Sequence, residues 1–122
     1  MPRGPGADLD RCSDRRVANA VQIMRDNLAT AMPIQSIALN IGVSVSQLNR
    51  LFLRYTKQPP LSYWRKMRLE HAHWCLLNTH LSIAQIAYEC GFSDSAHFIR
   101  KFKDLFKETP MAFRKRLLPD EL

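Results

Sequence analysis

Glycine and runs of β-branched residues are both scarce in this sequence, which has only four glycines among its 122 residues. Short strands separated by frequent tight turns are therefore not expected. Apolar residues instead recur at spacings of three and four residues along most of the chain, which is the period of an amphipathic helix. Because hydrophobic residues make up 46% of the sequence, such helices have enough apolar surface to form a packed core. The sequence thus predicts an all-α fold.

Cysteine is also rare, and long apolar runs are missing. Cys12, Cys75 and Cys90 are odd in number, widely spaced and form no C-x-x-C pair, which excludes a disulfide scaffold and indicates ordinary reduced thiols. No segment approaches the roughly 18 consecutive apolar residues of a membrane span, and the N-terminus lacks the apolar core of a signal peptide. We therefore expect a cytoplasmic protein without a membrane partner.

Acidic residues are too few to balance the basic ones, so the formal charge is +7. Residues 33–80 contain six Lys or Arg and one acid, and residues 81–116 contain seven against four. The first 32 residues are nearly balanced, with five against four. A basic surface of this kind attracts polyanions, although it also serves as an ordinary solvated surface. Charge alone leaves both interpretations open.

An ordered series of helices is predicted from apolar spacing, capping residues and prolines. Ser13 or Asp14 caps the first helix, and Pro33 marks the start of the second. The pairs Ser44 with Gln47 and Ser82 with Gln85 have the spacing of capping boxes. In chain order, the helices cover residues 13–28 and 34–41, a segment from Ser44 to Pro59-Pro60, residues 61–78, residues 82–90, a segment around Phe98 and Phe102, and a last one after Pro110.

The chain contains an internal repeat. At an offset of 49 positions, Ile34, Ile37, Ala38, Gly42, Ser44 and Ser46 reappear as Ile83, Ile86, Ala87, Gly91, Ser93 and Ser95. At an offset of 50, Leu48, Arg50, Phe52 and Pro60 correspond to Phe98, Arg100, Phe102 and Pro110. One residue is therefore added near the start of the second copy's longer helix. A repeat of this kind indicates a repeated structural unit with a repeated function.

Each copy consists of a short helix, a glycine turn and a second helix, which is the helix-turn-helix pattern. The first unit covers residues 34–57 and the second covers residues 82–106, with a linking helix over residues 61–78 between them. Any pair of antiparallel helices resembles one such unit, so a single copy would not by itself indicate DNA binding. Two units, a basic surface and an arginine at the same outward place in both together favour binding to double-stranded DNA.

The second helix of each unit is expected to lie in the major groove, and its non-core face reads the bases. Arg50 and Arg100 have the chemistry to grip guanine, Asn49 pairs with an adenine edge, and small or apolar residues contact thymine methyl groups. Leu53 is an apolar residue on this same polar face. The predicted base-contacting residues are Ser46, Asn49, Arg50, Ala96, Ile99 and Arg100.

Phosphate contacts are expected from residues at helix N-termini and from basic side chains. The candidates are Ser44, Lys57, Ser93, His97, Lys101, Lys103, Lys107 and Lys115. A rigid linking helix then allows one monomer to read two successive major grooves of an asymmetric site of roughly 20 base pairs.

The segment GFSDSAHFIRKFKDLFKETPMAFRKR closely resembles the C-terminal signature of AraC/XylS-type transcriptional regulators. This resemblance implies seven helices, two helix-turn-helix subdomains and a linking helix. It also implies activation through contact with RNA polymerase, under control of an effector domain elsewhere. The family's base-contacting positions fall on the six residues chosen above. Lys107 stands where the family usually has glycine, which predicts a strained or altered turn, and Pro33 replaces a Ser or Thr cap.

The run RLFLRYTKQPPLSYWRKMRLEHA also resembles members that have a class I glutamine amidotransferase-like N-terminal domain. Residues 1–12 are interpreted as a linker or expression remnant, residues 13–116 as the DNA-binding domain and residues 117–122 as a tail. A fragment of this kind is expected to be monomeric, bacterial and associated with the nucleoid when bound to DNA.

Two other classes of function compete with this interpretation. An enzyme or metal site is suggested only by His71 and Cys75, one helical turn apart, with His73 or His80 nearby. No second ligand pair, phosphate-binding glycine loop or nucleophile motif accompanies them, so neither catalysis nor a cofactor is expected. The other alternative is an architectural protein that binds DNA without regard to sequence.

Overall fold

The computed structural model describes residues 14–30 and 32–117, which fold into seven helices and no strands. The helices are α1 (Arg15–Asp26), α2 (Ile34–Asn40), α3 (Val45–Thr56), α4 (Pro60–Asn78), α5 (Ile83–Glu89), α6 (Ser95–Phe106) and α7 (Pro110–Leu117). The predicted all-α fold, with two helix-turn-helix units joined by a long helix, is confirmed. The predicted linker and all but the first residue of the predicted tail lie outside the described residues, and that first residue, Leu117, ends α7.

The chain divides into two compact units, and the boundary falls within α4, between Arg65 and Lys66. In the first unit α1, α2 and α3 pack together. The indole Nε1 of Trp64, at the start of α4, donates a hydrogen bond of 3.1 Å to the carbonyl of Met24 at the end of α1. The buried apolar residues of this unit are Val17, Ala20, Val21, Met24, Ile37, Ala38, Leu48, Phe52 and Trp64.

Asp14 caps the start of α1, which confirms one of the two residues predicted for this cap. Its Oδ1 accepts hydrogen bonds from the backbone and the guanidinium of Arg16, at 2.7 and 2.9 Å. These bonds lower the pKa of Asp14 to about 2. The cap therefore contributes fully at pH values above the ordinary carboxyl pKa and is lost as the pH falls towards 2. At its other end α1 stops at Asp26, before the predicted Leu28, because Asn27 caps it by donating to the Ile23 carbonyl.

In the second unit α5, α6 and α7 pack together. Their core contains Phe98, Phe102 and Phe113, together with the buried face of α4. Cys75 and Cys90 are buried in this core. Burial raises the pKa of Cys75 and raises the pKa of Cys90 to about 12, so both thiols stay protonated at neutral pH and pack as small apolar groups.

Glycine forms the turn of each helix-turn-helix unit. Gly42 and Gly91 have φ values of 76° and 82°, a left-handed conformation in which a side chain is strained. Both predicted capping boxes are present: the hydroxyls of Ser44 and Ser82 accept from the backbone N–H groups of Gln47 and Gln85 at 3.1 Å. The glutamine side chains in turn accept from the serine N–H groups.

The position of the added residue differs from the prediction. Asp94, not Ser93, caps α6, since its Oδ1 accepts from the His97 N–H at 2.7 Å. The helices α3 and α6 are both 12 residues long, so the extra residue lies in the turn between Gly91 and Asp94. The physical reason is that an insertion within a helix rotates every later side chain by about 100°, whereas a turn absorbs it.

Lysine occupies a left-handed position at the end of both α3 and α6. Lys57 and Lys107 have φ values of 64° and 68°. Their backbone N–H groups donate to the carbonyls of Leu53 and Lys103, which close the two helices. The strain predicted at Lys107 is thus present, and the first unit has it too, because the left-handed conformation brings Cβ close to a backbone carbonyl.

Replacing Lys107 with glycine is therefore expected to raise the free energy of unfolding by about 0.5–1 kcal/mol, the relieved strain exceeding the added flexibility of the unfolded chain. Urea unfolding followed by circular dichroism measures this change. Lys107→Ala, which removes the ammonium group but keeps Cβ, is the matched control and should give no gain. Equal stability of the glycine and alanine variants would contradict the argument.

Candidate nucleic-acid interface

The helix α3 has one buried face and one exposed face. Leu48 and Phe52 are completely buried, whereas Ser46, Asn49 and Arg50 are exposed. The structure therefore brings the three predicted base-contacting residues of the first unit to one solvent-facing side of α3. No acidic residue occurs in α3, so nothing within this helix repels an approaching polyanion.

The corresponding face of α6 is less uniformly exposed to solvent. Ala96 and Arg100 are exposed, as predicted, and Phe98 and Phe102 are completely buried. Ile99, however, is half-buried and packs against the core of the second unit. Part of its apolar surface is thus used within the protein, which leaves less of it for a thymine methyl group.

The N-termini of the two helices differ in charge. At α3, the neutral Ser44 hydroxyl is the cap. At α6, the cap is the Asp94 carboxylate, which accepts from the His97 N–H. Ser93 precedes this cap, so the prediction that it stands at the helix N-terminus is wrong in this detail. Because α6 already has an anion at its N-terminus, a phosphate is attracted there less than at α3.

The predicted phosphate-binding lysines have different surroundings. The ammonium groups of Lys57 and Lys107 donate to the carbonyls of Arg54 and Asp104, at 3.3 and 3.0 Å, and so lie at the C-terminal ends of their own helices. Lys101 and His97 are half-buried, and the His97 ring meets the Phe92 ring edge-on, with centroids 5.6 Å apart. Lys103 and Lys115 are exposed.

Arg54 belongs to the same exposed side of α3, but it is not among the contact residues predicted from the sequence. It lies one turn after Arg50, and its guanidinium stands over the Tyr55 ring at 5.5 Å from the centroid. Its four-residue spacing from Arg50 was the signal available in the sequence. At the equivalent place α6 has Asp104, so an acidic residue stands there where α3 has an arginine.

Arg114 has a structural role that the sequence did not reveal. Its guanidinium donates three hydrogen bonds to backbone carbonyls, from Nε to Leu76 at 3.1 Å, from Nη1 to Leu81 at 2.7 Å and from Nη2 to Thr79 at 3.2 Å. It thereby joins α7 to the end of α4 and to the turn that leads into α5. Arg116 pairs with Glu108 at 2.6 Å. Both arginines of the final basic run are thus engaged within the second unit.

The histidine and cysteine of α4 that suggested a metal site are close together. The distance from Cys75 Sγ to His71 Nε2 is 3.6 Å, a contact between a buried thiol and a half-buried ring. Within residues 14–30 and 32–117, no group of three or more His, Cys, Asp or Glu side chains is placed to hold a metal ion. In the same part of the chain, no helix combines the length and apolar character of a membrane span.

A family model described as a helix-turn-helix domain matches residues 37–116. Over 104 residues the chain is 34% identical to the HTH-type transcriptional regulator ArgR of Pseudomonas aeruginosa, covering 85% of this chain and 32% of that protein. It is 30% identical over 106 residues to the HTH-type transcriptional activator RhaS of Escherichia fergusonii, covering 87% and 38%. The chain therefore spans about a third of the length of these curated relatives.

Among solved structures, the fold is similar to that of a transcriptional regulator from Chromobacterium violaceum described as an AraC-type DNA-binding domain-containing protein. The TM-score is 0.80 and the sequence identity is 36%. The match covers 86% of this chain and 95% of that one, so it includes both helix-turn-helix units.

Proposed function

The chain belongs to the AraC-type family of helix-turn-helix transcriptional regulators, and we propose that it binds a specific double-stranded DNA sequence and thereby regulates transcription. The observation that carries this proposal is the pair of exposed arginines, Arg50 and Arg100, at equivalent places on two equally long helices. Each lies opposite two buried aromatic or aliphatic residues that fix its helix in the core. Such a helix presents its free side to the major groove.

The proposed contacts follow from the chemistry of the exposed side chains. Arg50 and Arg100 each donate two hydrogen bonds to guanine O6 and N7, and Asn49 pairs with adenine. Ser46, Ala96 and Ile99 contact base edges or methyl groups at closer range. Phosphate contacts from Ser44, the exposed lysines and Arg54 hold the helices in register. The first unit supplies the more polar set of base contacts.

We further propose that α3 and α6 enter successive major grooves of one asymmetric site of about 20 base pairs, since these grooves recur every 34 Å or so along one side of the duplex. Two reading helices in one chain support this arrangement, because a single copy then recognises both half-sites. The chain is accordingly proposed to bind as a monomer. Analytical ultracentrifugation of the complex with a selected duplex measures this stoichiometry.

Transcriptional activation through contact with RNA polymerase, under control of an effector-binding domain, is proposed for the whole protein. The support is family membership and the likeness to RhaS, whose description is that of an activator. The site of action is then the bacterial cytoplasm, at the nucleoid. An architectural, sequence-independent role is disfavoured by side chains with the chemistry of base recognition on both exposed faces.

Selection of binding sites from a pool of random duplexes tests the proposed function most directly. We expect one enriched sequence motif with two separated conserved segments. In competition, random duplex should displace the protein from this site only at concentrations at least about 1,000-fold higher than the selected duplex requires. A pool that shows no enrichment, with equal competition by random duplex, would favour the architectural alternative.

Salt dependence provides a second test of the same interface. The logarithm of the association constant should fall linearly with the logarithm of salt concentration, because each phosphate contact releases a condensed counterion. The slope for Arg54→Ala should be smaller by about one if Arg54 contacts a phosphate. Arg15→Ala, an exposed arginine of α1, is the control and should leave the slope unchanged. A flat salt response of the wild-type chain would contradict a phosphate-bound interface.

A further inference from the structure

Leu53 is an exposed leucine on the reading side of α3. Its side chain is 49% exposed. Single exposed leucines are common and by themselves carry no meaning. The position of this one is informative: at about 100° per residue, it lies roughly 60° from Arg50 and 40° from Asn49 around the helix axis. It therefore stands between the two side chains proposed to contact bases.

The fold does not require an apolar residue at this place. The core of the first unit takes Leu48 and Phe52 from a different side of α3, roughly 100–140° away from Leu53 around the helix axis. In α6, which has the same length and the same left-handed lysine at its end, the equivalent residue is the exposed Lys103. Because the second unit forms its helix with a charged residue here, packing does not account for leucine in the first.

The chemistry of the major groove offers one apolar group, the C5 methyl of thymine. Leu53 lies three residues beyond Arg50, about 4.5 Å along the helix axis, while base pairs are stacked about 3.4 Å apart. A leucine held there, between a guanine-binding arginine and an adenine-binding asparagine, reaches the floor of the groove one or two base pairs away from the base that Arg50 contacts.

We propose that Leu53 is a specificity-determining residue that recognises the C5 methyl group of a thymine within two base pairs of the Arg50 contact. This inference rests on the proposed function. It assigns to the first unit an apolar contact that the second unit, with Lys103 in the same place, lacks. Because of Leu53, the two units recognise different groups on the DNA, although their arginines are at equivalent positions.

Removal of single methyl groups from the DNA tests the inference. The probe is the duplex that the chain itself selects from a random pool, with each thymine replaced in turn by deoxyuridine, which lacks only the C5 methyl. For the wild-type chain, one such replacement near the Arg50 contact should weaken binding about fourfold, the effect of burying one methyl-sized group. For Leu53→Ala the same replacement should have no effect, while replacements elsewhere affect both proteins alike.

Two further variants separate this contact from general effects. Leu39→Ala removes a leucine of the same unit that is 81% exposed on α2, and it should keep the full response to deoxyuridine. Leu53→Lys, which copies the second unit, should bind random duplex more tightly and lose the methyl response. Circular dichroism spectra identical to that of the wild-type chain would establish that the helix is intact in each variant.

The possible outcomes separate a failure of the proposed function from a failure of the Leu53 proposal alone. A pool without any enriched sequence would overturn the proposed function and the inference together. An enriched site in which no thymine lies near the Arg50 contact would overturn the inference alone. A methyl response that is the same in Leu53→Ala as in the wild-type chain would overturn it as well. Loss of the response in Leu53→Ala, but not in Leu39→Ala, supports it.

Discussion

Replacing Arg50 with alanine is expected to weaken binding to the selected duplex by about 1–3 kcal/mol, which corresponds to roughly 5- to 150-fold in the dissociation constant. The reason is that the guanidinium is exposed on α3, free of any acidic neighbour within that helix, and has the planar geometry that matches guanine O6 and N7. The same range is expected for Arg100→Ala on α6. Fluorescence anisotropy with a labelled duplex measures both.

The loss should be specific to one base pair for each arginine. When each position of the duplex is substituted in turn, Arg50→Ala should discriminate less only at the guanine it contacts, and Arg100→Ala at a different one. Arg25→Ala serves as the matched control, because Arg25 is an exposed arginine of α1 that donates to Gln22 on its own helix. Arg25→Ala should bind as the wild-type chain does.

If both Arg50→Ala and Arg100→Ala discriminated between base pairs as the wild-type chain does, this result would contradict the proposal that these residues contact bases. A uniform loss over all sequences would instead place the two arginines on phosphates, since backbone contacts position the protein without reporting the sequence. The position-by-position comparison therefore decides between the two roles, which a single affinity measurement does not.

Replacing Arg114 with leucine is expected to lower the free energy of unfolding by about 2–4 kcal/mol, because three carbonyls at the end of α4 and in the turn before α5 lose a charged donor together. Leucine keeps much of the apolar volume and removes the donors together with the positive charge. Arg114→Lys should recover only a minor part of the lost free energy of unfolding, because an ammonium group cannot reach three carbonyls in the planar arrangement of a guanidinium. Urea unfolding measured by circular dichroism gives these differences.

Lys115→Leu is the control for loss of a positive charge, because Lys115 is the neighbouring residue and is exposed. It should change the free energy of unfolding by less than about 0.5 kcal/mol. If Arg114→Leu proved no more destabilising than Lys115→Leu, the three hydrogen bonds would have to be regarded as unimportant for stability. The second unit would then hold α7 through apolar contacts such as that of Phe113.

Much of the fold followed from local features of the sequence. A capping box needs only residues three positions apart, so the starts of α3 and α5 were predictable from Ser44 and Ser82. The exposed face of α3 followed in the same way, because residues three and four apart share one side of a helix. The internal repeat places Arg50 and Arg100 at equivalent positions of the two units.

Residues close together in the sequence thus account for the helices, their caps, the two helix-turn-helix units and their outward arginines. Packing between distant segments, by contrast, determines that Arg114 binds three carbonyls at least 33 positions away in the chain. Packing likewise buries part of Ile99 against the core. The structure also places the added residue before Asp94 rather than inside α6. Residues so distant along the chain come into contact only through tertiary packing. Helical periodicity describes one helix at a time, so it cannot predict which of these contacts a side chain makes.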